Sequence, residues 1–591
     1  MIGLDFDGQS EKLVRDAVAH SDEQQSIRNE MFRKFWWMYL AYKDEAERDV
    51  DMPNIALPKL FSLVENKTPR EAQALFGGQP FAPIKARRGV FQPVADIQVE
   101  VLDYLLGQAG LWEEGHLATK IKILHGTSFM NVLPYFDRVI EKKLIQSSNG
   151  GFEVGQEIVH RLRLRIETWA PWEVMVDPNA ETLSQPDGCR YCIKIQLASK
   201  RVLKQRYEQG MYPGLDLDKL DNYSGGNSRW RGEHFGQEML ADLGLPVPSD
   251  DNDMGVLLRY ESPDRYIDSW MGEVTLREMD NPYNHKKINL SRLPHTLSPH
   301  PNERFWGIGE AQPNEIQLAM LDDLYNLTFA SHSMLNQPMV FFRKGRINAR
   351  DIVFDLGRRV PVDSNSDRPI GDDFHVSSGN PLPRDHYMLT DQVERNVDLV
   401  AAEFDPSRGE TSGGGTTATE VALTNDQGGK RQEGTIQVGE NVFKNDFATK
   451  TLSIIDQFAN FNDYAEIVGP ERAVLIYTAN PGDLPGGHNY EFKGSAQVNQ
   501  LFMKGQALAT LAPVLMGSEA NRPGGIDRKL LELRQFTTDE INSMVLTEDE
   551  LVQKREIEMA MMMMQQAQEQ DNQQKQIENK SNTPPKKDKS K

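Results

Sequence analysis

The stretch RFWGIGEAQPNEIQLAMLDDLYNLTFASHSMLNQP, residues 304–338, limits the fold more than any other. Its glycines predict a turn, Pro313 suits the first turn of a helix, and the helix is expected to run to about Leu335. Ile316, Leu318, Met320, Leu321, Leu324, Tyr325 and Leu327 spread over most of its circumference, and a helix apolar on most sides must be packed on most sides. Asp322 and Asp323 form its one acidic patch. Short β-like pieces and turns follow, carrying Arg343, Lys344, Arg346, Arg350, Arg358 and Arg359. A second helix is expected over 385–404, with Val393, Val397 and Val400 on one face and Asp391, Glu394 and Asp398 close together on another. Residues 404–431, FDPSRGETSGGGTTATEVALTNDQGGKR, then form a glycine-rich loop with a charged tip, Arg408 and Glu410. The run Gly413, Gly414, Gly415 costs too much backbone entropy for a stable helix to pass through it. Helix, small basic insertion, returning helix and glycine loop are the main architectural signal.

Elsewhere the period of the apolar residues separates helices from strands. Residues 10–48 read as one helix, with Ile27, Met31, Phe35, Met38 and Tyr42 at three-to-four spacing. Further helices are expected from Leu57 to Gly77, Pro93 to Gly107 and Leu111 to His125. At Gly126 the pattern changes to alternation. TSFMNVLPYFDRVIEKKLI, EIVHRLRLRIETWAPWEVMVDPNA and CRYCIKIQL read as strands, and Leu162, Leu164 and Ile166 alternate with Arg161, Arg163 and Arg165 to give a sheet with one basic, solvated face. Residues 199–254 read as loop-rich, and strands resume through VLLRYESPDRYIDSWMGEVTLREM. After the glycine loop, Phe443, Phe447, Ile454, Phe458 and Phe461 mark a helix to about residue 462, with a kink or break expected at Gly428, Gly429, Gly434 and Gly439. RAVLIYTANPGDLPGGHNYEFKG reads as two strands, and residues from Ala496 as helical. The Gln-, Asn- and Lys-rich end reads as a disordered basic tail.

The chain is too long for one ordinary core, so two to four domains are expected from its 591 residues. With 66 Lys and Arg against 87 Asp and Glu, its formal charge of −21 argues against ordinary nucleic-acid binding by phosphate neutralisation. A surface that DNA slides past without sticking remains compatible. No apolar run reaches the roughly 20 residues of a membrane span, and MIGLDFDGQSEKL lacks the features of a secretory signal. Cys189 and Cys192 are the only cysteines; with no second Cys or His pair beside them, a structural role in a reducing compartment is expected.

No catalytic constellation stands out. Gly415 is followed by Thr416 and Thr417 without the lysine that a phosphate-cradling P-loop needs, and a helix rather than a strand precedes it. HExxH and GxSxG motifs are missing, and the acidic turns at 216–218, 249–253 and 372–374 read as solvated loops. The chain reads as a non-enzyme without cofactor or metal.

Four ordered segments carry a family resemblance: LFSLVENKTPREAQALFGGQPFAPIKA, TWAPWEVMVDPNAETLSQPDGCRYCIKIQLASKRVLKQRY, RFWGIGEAQPNEIQLAMLDDLYN and GGGTTATEVALTNDQGGKR. Together, over roughly residues 30–510, the chain resembles tailed-phage portal (head-to-tail connector) proteins of the podovirus (P22-like) type. The likeness lies in the order of segments rather than in any single motif. It implies an α+β portal fold: a wing of helices and β-sheet at 1–312 and 419–495, stem helices at 313–335 and 385–404, a small β clip at 336–384, a tunnel loop at 405–418, a helical crown at 496–570 and a basic tail at 571–591.

The resemblance further implies a structural subunit of a ring, with twelve copies expected, at one capsid vertex of a virion assembled in the host cytoplasm. Double-stranded DNA would pass through the channel during packaging and ejection. The expected partners are the terminase large subunit, then a head-tail adaptor, with the major capsid protein and scaffold around the ring. Stem helices packed against both neighbours would explain the apolar girth between Leu318 and Leu327. Asp322, Asp323, Asp391, Glu394 and Asp398 are candidates for a like-charged channel wall, which disfavours sticking; the alternative is outward, salt-bridged faces. Arg408, Glu410, Thr411, Gly413, Gly414 and Gly415 would form the finger near DNA, with Arg408 the candidate phosphate contact. Arg343, Lys344, Arg346, Arg350, Arg358 and Arg359 would meet motor and adaptor, or pair with acids of the adjacent clip. A terminase or other packaging enzyme, and another virion or tail protein, are the competing readings.

Overall fold

A glycine in left-handed backbone marks the change of period. Helix α4 (Leu111–His125) stops at Gly126, whose φ of +92° few side-chain-bearing residues adopt, and strand β2 begins at Thr127. The computed structural model describes residues 9–43, 53–78, 80–86, 92–146, 152–184, 188–212, 215–222, 239, 241–242, 254–336, 339–342, 374–377, 382–402, 433–477 and 490–492. All of these fall in one contact unit, residues 1–494; a second unit, 495–591, lies outside them, and with it the expected crown and tail.

The described chain is mixed α and β. Helix α1 (Gln9–Tyr39) is followed by α2 (Lys59–Phe76), strand β1 (Ile84–Ala86), α3 (Gln92–Gln108) and α4. The expected helix over 10–48 therefore ends early, in a turn where Ala41 takes a φ of 51°. Its buried face is also displaced from the expected one. Val14, Ala17, Phe32, Phe35 and Tyr39 are buried, whereas Ile27 is exposed.

Strands β2 (Thr127–Gln146) and β3 (Phe152–Trp169) form one antiparallel ribbon of 18 residue pairs. Strand β9 (Ser291–Pro294) joins β2 only along Thr127–Met130. Beyond that point β2 has a free edge among the described residues, which is where Pro134 can sit without losing a ladder bond. The apolar side of the predicted alternation is present, with Leu162, Leu164 and Ile166 buried, but the arginine face is only partly solvated: Arg165 is exposed, 3.5 Å from Glu167, Arg163 is half-buried, and Arg161 is buried against Glu466 (3.2 Å).

A second sheet, order β4-β5-β6-β7-β8, is antiparallel throughout: Val174–Val176, Cys192–Ser199, Met254–Glu261, Arg265–Trp270 and Val274–Asp280. The first turns of α1 pack Val14 and Ala17 on its Ile193, Ile195, Val256 and Ile267 face. Both cysteines are buried and free, and burial pushes the Cys189 thiol up to about 12. Short helices α5 (Lys200–Glu208) and α6 (Leu217–Asn222) occupy part of the stretch expected to be loop-rich.

Of the glycines where a kink or break was expected, Gly428 and Gly429 lie outside the described residues, and the helix runs unbroken from residue 433 through Gly434 and Gly439. It loosens into a π-turn at Glu440–Lys444 and continues as α9 (Asn445–Phe458). Gly439 lies against Leu75 and Leu293, where an added Cβ would be 3.2 Å and 3.4 Å from their side chains, so close packing accounts for that glycine. The helix ends at Phe458, and Phe461 opens a separate one, α10 (Phe461–Val468). RAVLIY is likewise helix α11 (Pro470–Tyr477), not strand; Gly469 at φ +86° and Pro470 provide a helix start that outweighs its apolar run. Among the described residues of the second expected strand, Tyr490–Phe492, strand β14, is extended as expected, and it pairs with β1.

Candidate functional site: the helix pair and its base

Between β9 and the first long apolar helix, strands β10 (Thr296–Leu297) and β11 (Gly307–Ile308) pair antiparallel and the chain makes a close backbone crossing. An added Cβ on Gly126 would meet the Gly307 carbonyl oxygen at 2.1 Å, one on Gly307 would meet that of Gly126 at 2.1 Å, and one on Gly309 would meet that of Leu124 at 2.4 Å. The Glu310 amide donates to the Ile123 carbonyl (2.7 Å), and the His295 amide to that of Gly126 (2.8 Å). The W-G-I-G-E segment thus has glycine where two backbones touch.

Five ionisable side chains are buried on this crossing. Lys67 Nζ lies 2.5 Å from Glu310 Oε1, which also accepts from His295 Nε2 (3.1 Å). His295 Nδ1 is 3.8 Å from Glu71 Oε2, and Lys122 Nζ is 2.8 Å from the same oxygen. Burial alone would raise the Glu310 carboxyl, but the His295 hydrogen bond and the Lys67 charge outweigh it and hold it at about 2. Glu71 is likewise lowered, its burial outweighed by Lys122 and His295. Oppositely charged partners keep each ion compensated, without which such burial is prohibitive. The cluster joins α2, α4, the residue after β9 and the residue before the apolar helix.

From this base, α7 (Ala311–Asn336) leads to β12 (Met339–Phe342), which pairs antiparallel with β13 (Phe374–Ser377) ahead of the returning α8 (Arg384–Ala401). The predicted helix–insertion–helix order is present. Near the base, Ala311, Leu318, Val397 and Ala401 pack with Phe32, Phe35, Leu60, Leu63 and Val64. Between the helices, His386 Nε2 contacts Thr328 Oγ1 (2.9 Å) and the Leu324 carbonyl (3.3 Å).

The acidic candidates divide. Asp322 Oδ1 accepts from the Leu57 amide (2.9 Å), and Asn326 exchanges hydrogen bonds with both backbone groups of Ile55, so the segment before α2 is strapped along α7. Burial raises the Asp322 carboxyl to about 6 against that amide. Glu394 and Asp398 both pair with Lys59, at 2.8 Å and 3.1 Å. Three of the five are thus engaged within the chain, and Asp323 and Asp391 are exposed. Arg408, Glu410, Thr411, Gly413, Gly414 and Gly415 lie outside the described residues, as do Arg343, Lys344, Arg346, Arg350, Arg358 and Arg359.

Large apolar side chains also lie open along the pair. Ile316 is 81% exposed, Met388 60% and Leu399 58%, and Met320, Leu327 and Phe329 are exposed too. The buried cluster was missed from sequence. Its one signal was Lys67 and Glu71 falling in the Leu60, Leu63, Val64, Leu75 stripe of α2, where the period calls for apolar residues.

Among the described residues no group of three or more His, Cys, Asp or Glu is placed to hold a metal ion, and no helix is long and apolar enough to cross a membrane. No family model matches the chain, and no curated protein matches it either.

Proposed function

We propose that this chain is a structural ring subunit of the portal, or head-to-tail connector, type, with α7 and α8 as its stem helices. The observation that carries the proposal is the apolar surface of that pair, with Ile316, Met388 and Leu399 open to solvent after the chain has made its own contacts. A large exposed apolar surface marks an interaction site, and a helix covered on one side by its own body needs neighbours on the others. Identical neighbours related by rotation supply them.

In such a ring residues 336–384 are the clip, where the terminase motor and then the head-tail adaptor dock. Residues 405–418 are the finger beside the passing duplex, and Asp323 and Asp391 are the acidic groups on the stem left to face a channel. A wall of like charge lets the phosphate backbone slide without sticking. The protein acts as a passage and a docking ring, and no chemical step is assigned to it. Negative-stain images of the purified full chain test this. Rings with a central hole of about duplex width, roughly 20 Å or more, are expected from the need to pass B-DNA; monomers or filaments would overturn the proposal.

A further inference from the structure

We infer that Asp456 is a proton-operated latch: as the neutral acid it holds the corner helices α10 and α11 against α3, and as the carboxylate it loosens them. Asp456 stands in the last turn of α9, a turn that carries no basic residue. The unpaired carbonyls of a helix's last turn disfavour a negative charge beside them. Its Oδ1 accepts from the Tyr464 hydroxyl of α10 (3.3 Å). Gln98 of α3 lies beside the same carboxyl without a formed hydrogen bond, and its Oε1 and Nε2 are both buried without a partner. An orphaned buried acceptor is costly, and the O–H of a neutral carboxyl is a donor that satisfies it.

The surrounding charges are engaged elsewhere. Helices α3, α9, α10 and α11 carry only two cations, Lys450 and Arg472. Lys450 is held by Asp446 (2.6 Å) and the Leu290 carbonyl, and Arg472 by Glu100 of α3 (2.9 Å). In the loop bonded to Gln457, Lys286 donates to the Asn281 carbonyl, while His285 and Lys287 bear on Lys450. Among the acids, Asp96 accepts from Gln92, Asp103 from the Phe81 amide and Asp463 from the Leu162 and Asn460 amides. Glu466 pairs with Arg161, and Glu471 is exposed. Burial therefore raises the Asp456 carboxyl to about 7, against the contacts of Tyr464 and Gln98. Tyr464 is itself raised by burial and by Asp456, so it stays a neutral donor. The corner is built to yield: α10 has eight residues, its Phe461, Ala465 and Ile467 are only partly buried, and Gly469 at φ +86° joins it to α11. Elements with few buried contacts open at low cost. All these groups belong to one copy, so the inference does not depend on the ring reading.

With the folded acid raised from its ordinary 3.8 to about 7, the closed corner loses stability relative to the open one as pH rises from about 4 through 7, and levels off above. Hydrogen exchange of the full chain, read by mass spectrometry, tests this. After correction for the intrinsic pH dependence of exchange, peptides covering residues 459–477 are expected to lose protection roughly tenfold or more between pH 5 and pH 8, since one pKa unit is tenfold. Strands β5 and β6 are expected to keep theirs. Asp456→Asn mimics the neutral acid, with an oxygen for Tyr464 and an N–H for Gln98, and is expected to hold the corner at pH 8 as firmly as at pH 5. The same pH response in the variant and the unmodified chain would overturn the inference. So would a corner less protected in Asp456→Asn than in the unmodified chain at pH 8, which would mean that the carboxylate stabilises it.

Discussion

The buried cluster at the base of the helix pair and the pair's exposed side are built from opposite materials. At the base, Lys67, Glu71, Lys122 and Glu310 are buried charged groups with His295 between the two carboxylates, all partnered within the same chain. On the exposed side, Ile316, Met388 and Leu399 are apolar and open to solvent. Charge inside and hydrocarbon outside reverse the usual partition. The base is complete in one copy, whereas the outer surface is finished only if something else covers it. A region satisfied internally should respond to mutation through folding stability, and an unfinished surface should respond through assembly.

The largest expected effect is at the base. Glu310→Ala leaves Lys67 and His295 without their carboxylate, and removing one member of a buried ionic group costs about 3–5 kcal/mol. Denaturant unfolding checks this; a loss below about 1 kcal/mol would mean that the cluster is not a stabilising unit. Next is the crossing itself. Gly307→Ala places a methyl group 2.1 Å from the Gly126 carbonyl oxygen, and the backbone shift should cost about 1–3 kcal/mol, read as a lowered Tm.

The expectations that held rest on local chemistry, and those that failed depended on distant partners. The switch to strands at Gly126 was legible because glycine stops α4 and the side-chain period changes there. The helix pair was legible from Pro313, from the apolar girth of α7 and from the Val393, Val397 stripe of α8. RAVLIY misled because a short apolar run looks the same as a strand or as a buried helix turn. The Leu57 amide that engages Asp322 could not be read from the sequence, because it is 265 residues away. The buried cluster was illegible for the same reason: its members come from separate elements, and opposite charges scattered through a sequence do not say which of them meet.

Acidity separates the two kinds of carboxyl by sign. Glu310 is depressed to about 2 from its ordinary 4.5, so its contribution is present above about pH 4.5 and is lost as pH falls toward 2. Asp322 is raised to about 6 from 3.8, so its contribution is fully present below about pH 3.8 and is lost as pH rises through 6. Asp322→Asn keeps an oxygen for the Leu57 amide and removes the charge. It should therefore raise the unfolding free energy at pH 8, by up to about 1 kcal/mol after allowing for solvent screening, and not at pH 4. A loss of stability at pH 8 would show that the ionised carboxylate stabilises the strap.

The smallest effect on folding is expected at the open surface. Ile316→Asp should change monomer unfolding by no more than about 0.5 kcal/mol, since the side chain makes little contact within its own copy.

The same substitution gives the most direct test of the central claim, that identical copies cover the outer helix pair. The mass of the purified full chain in solution should be a multiple of 67.0 kDa, and Ile316→Asp combined with Leu399→Asp should return it to the single-chain value with the fold intact. A wild-type chain that stays at 67.0 kDa at every concentration, or an assembly indifferent to both substitutions, would contradict the account.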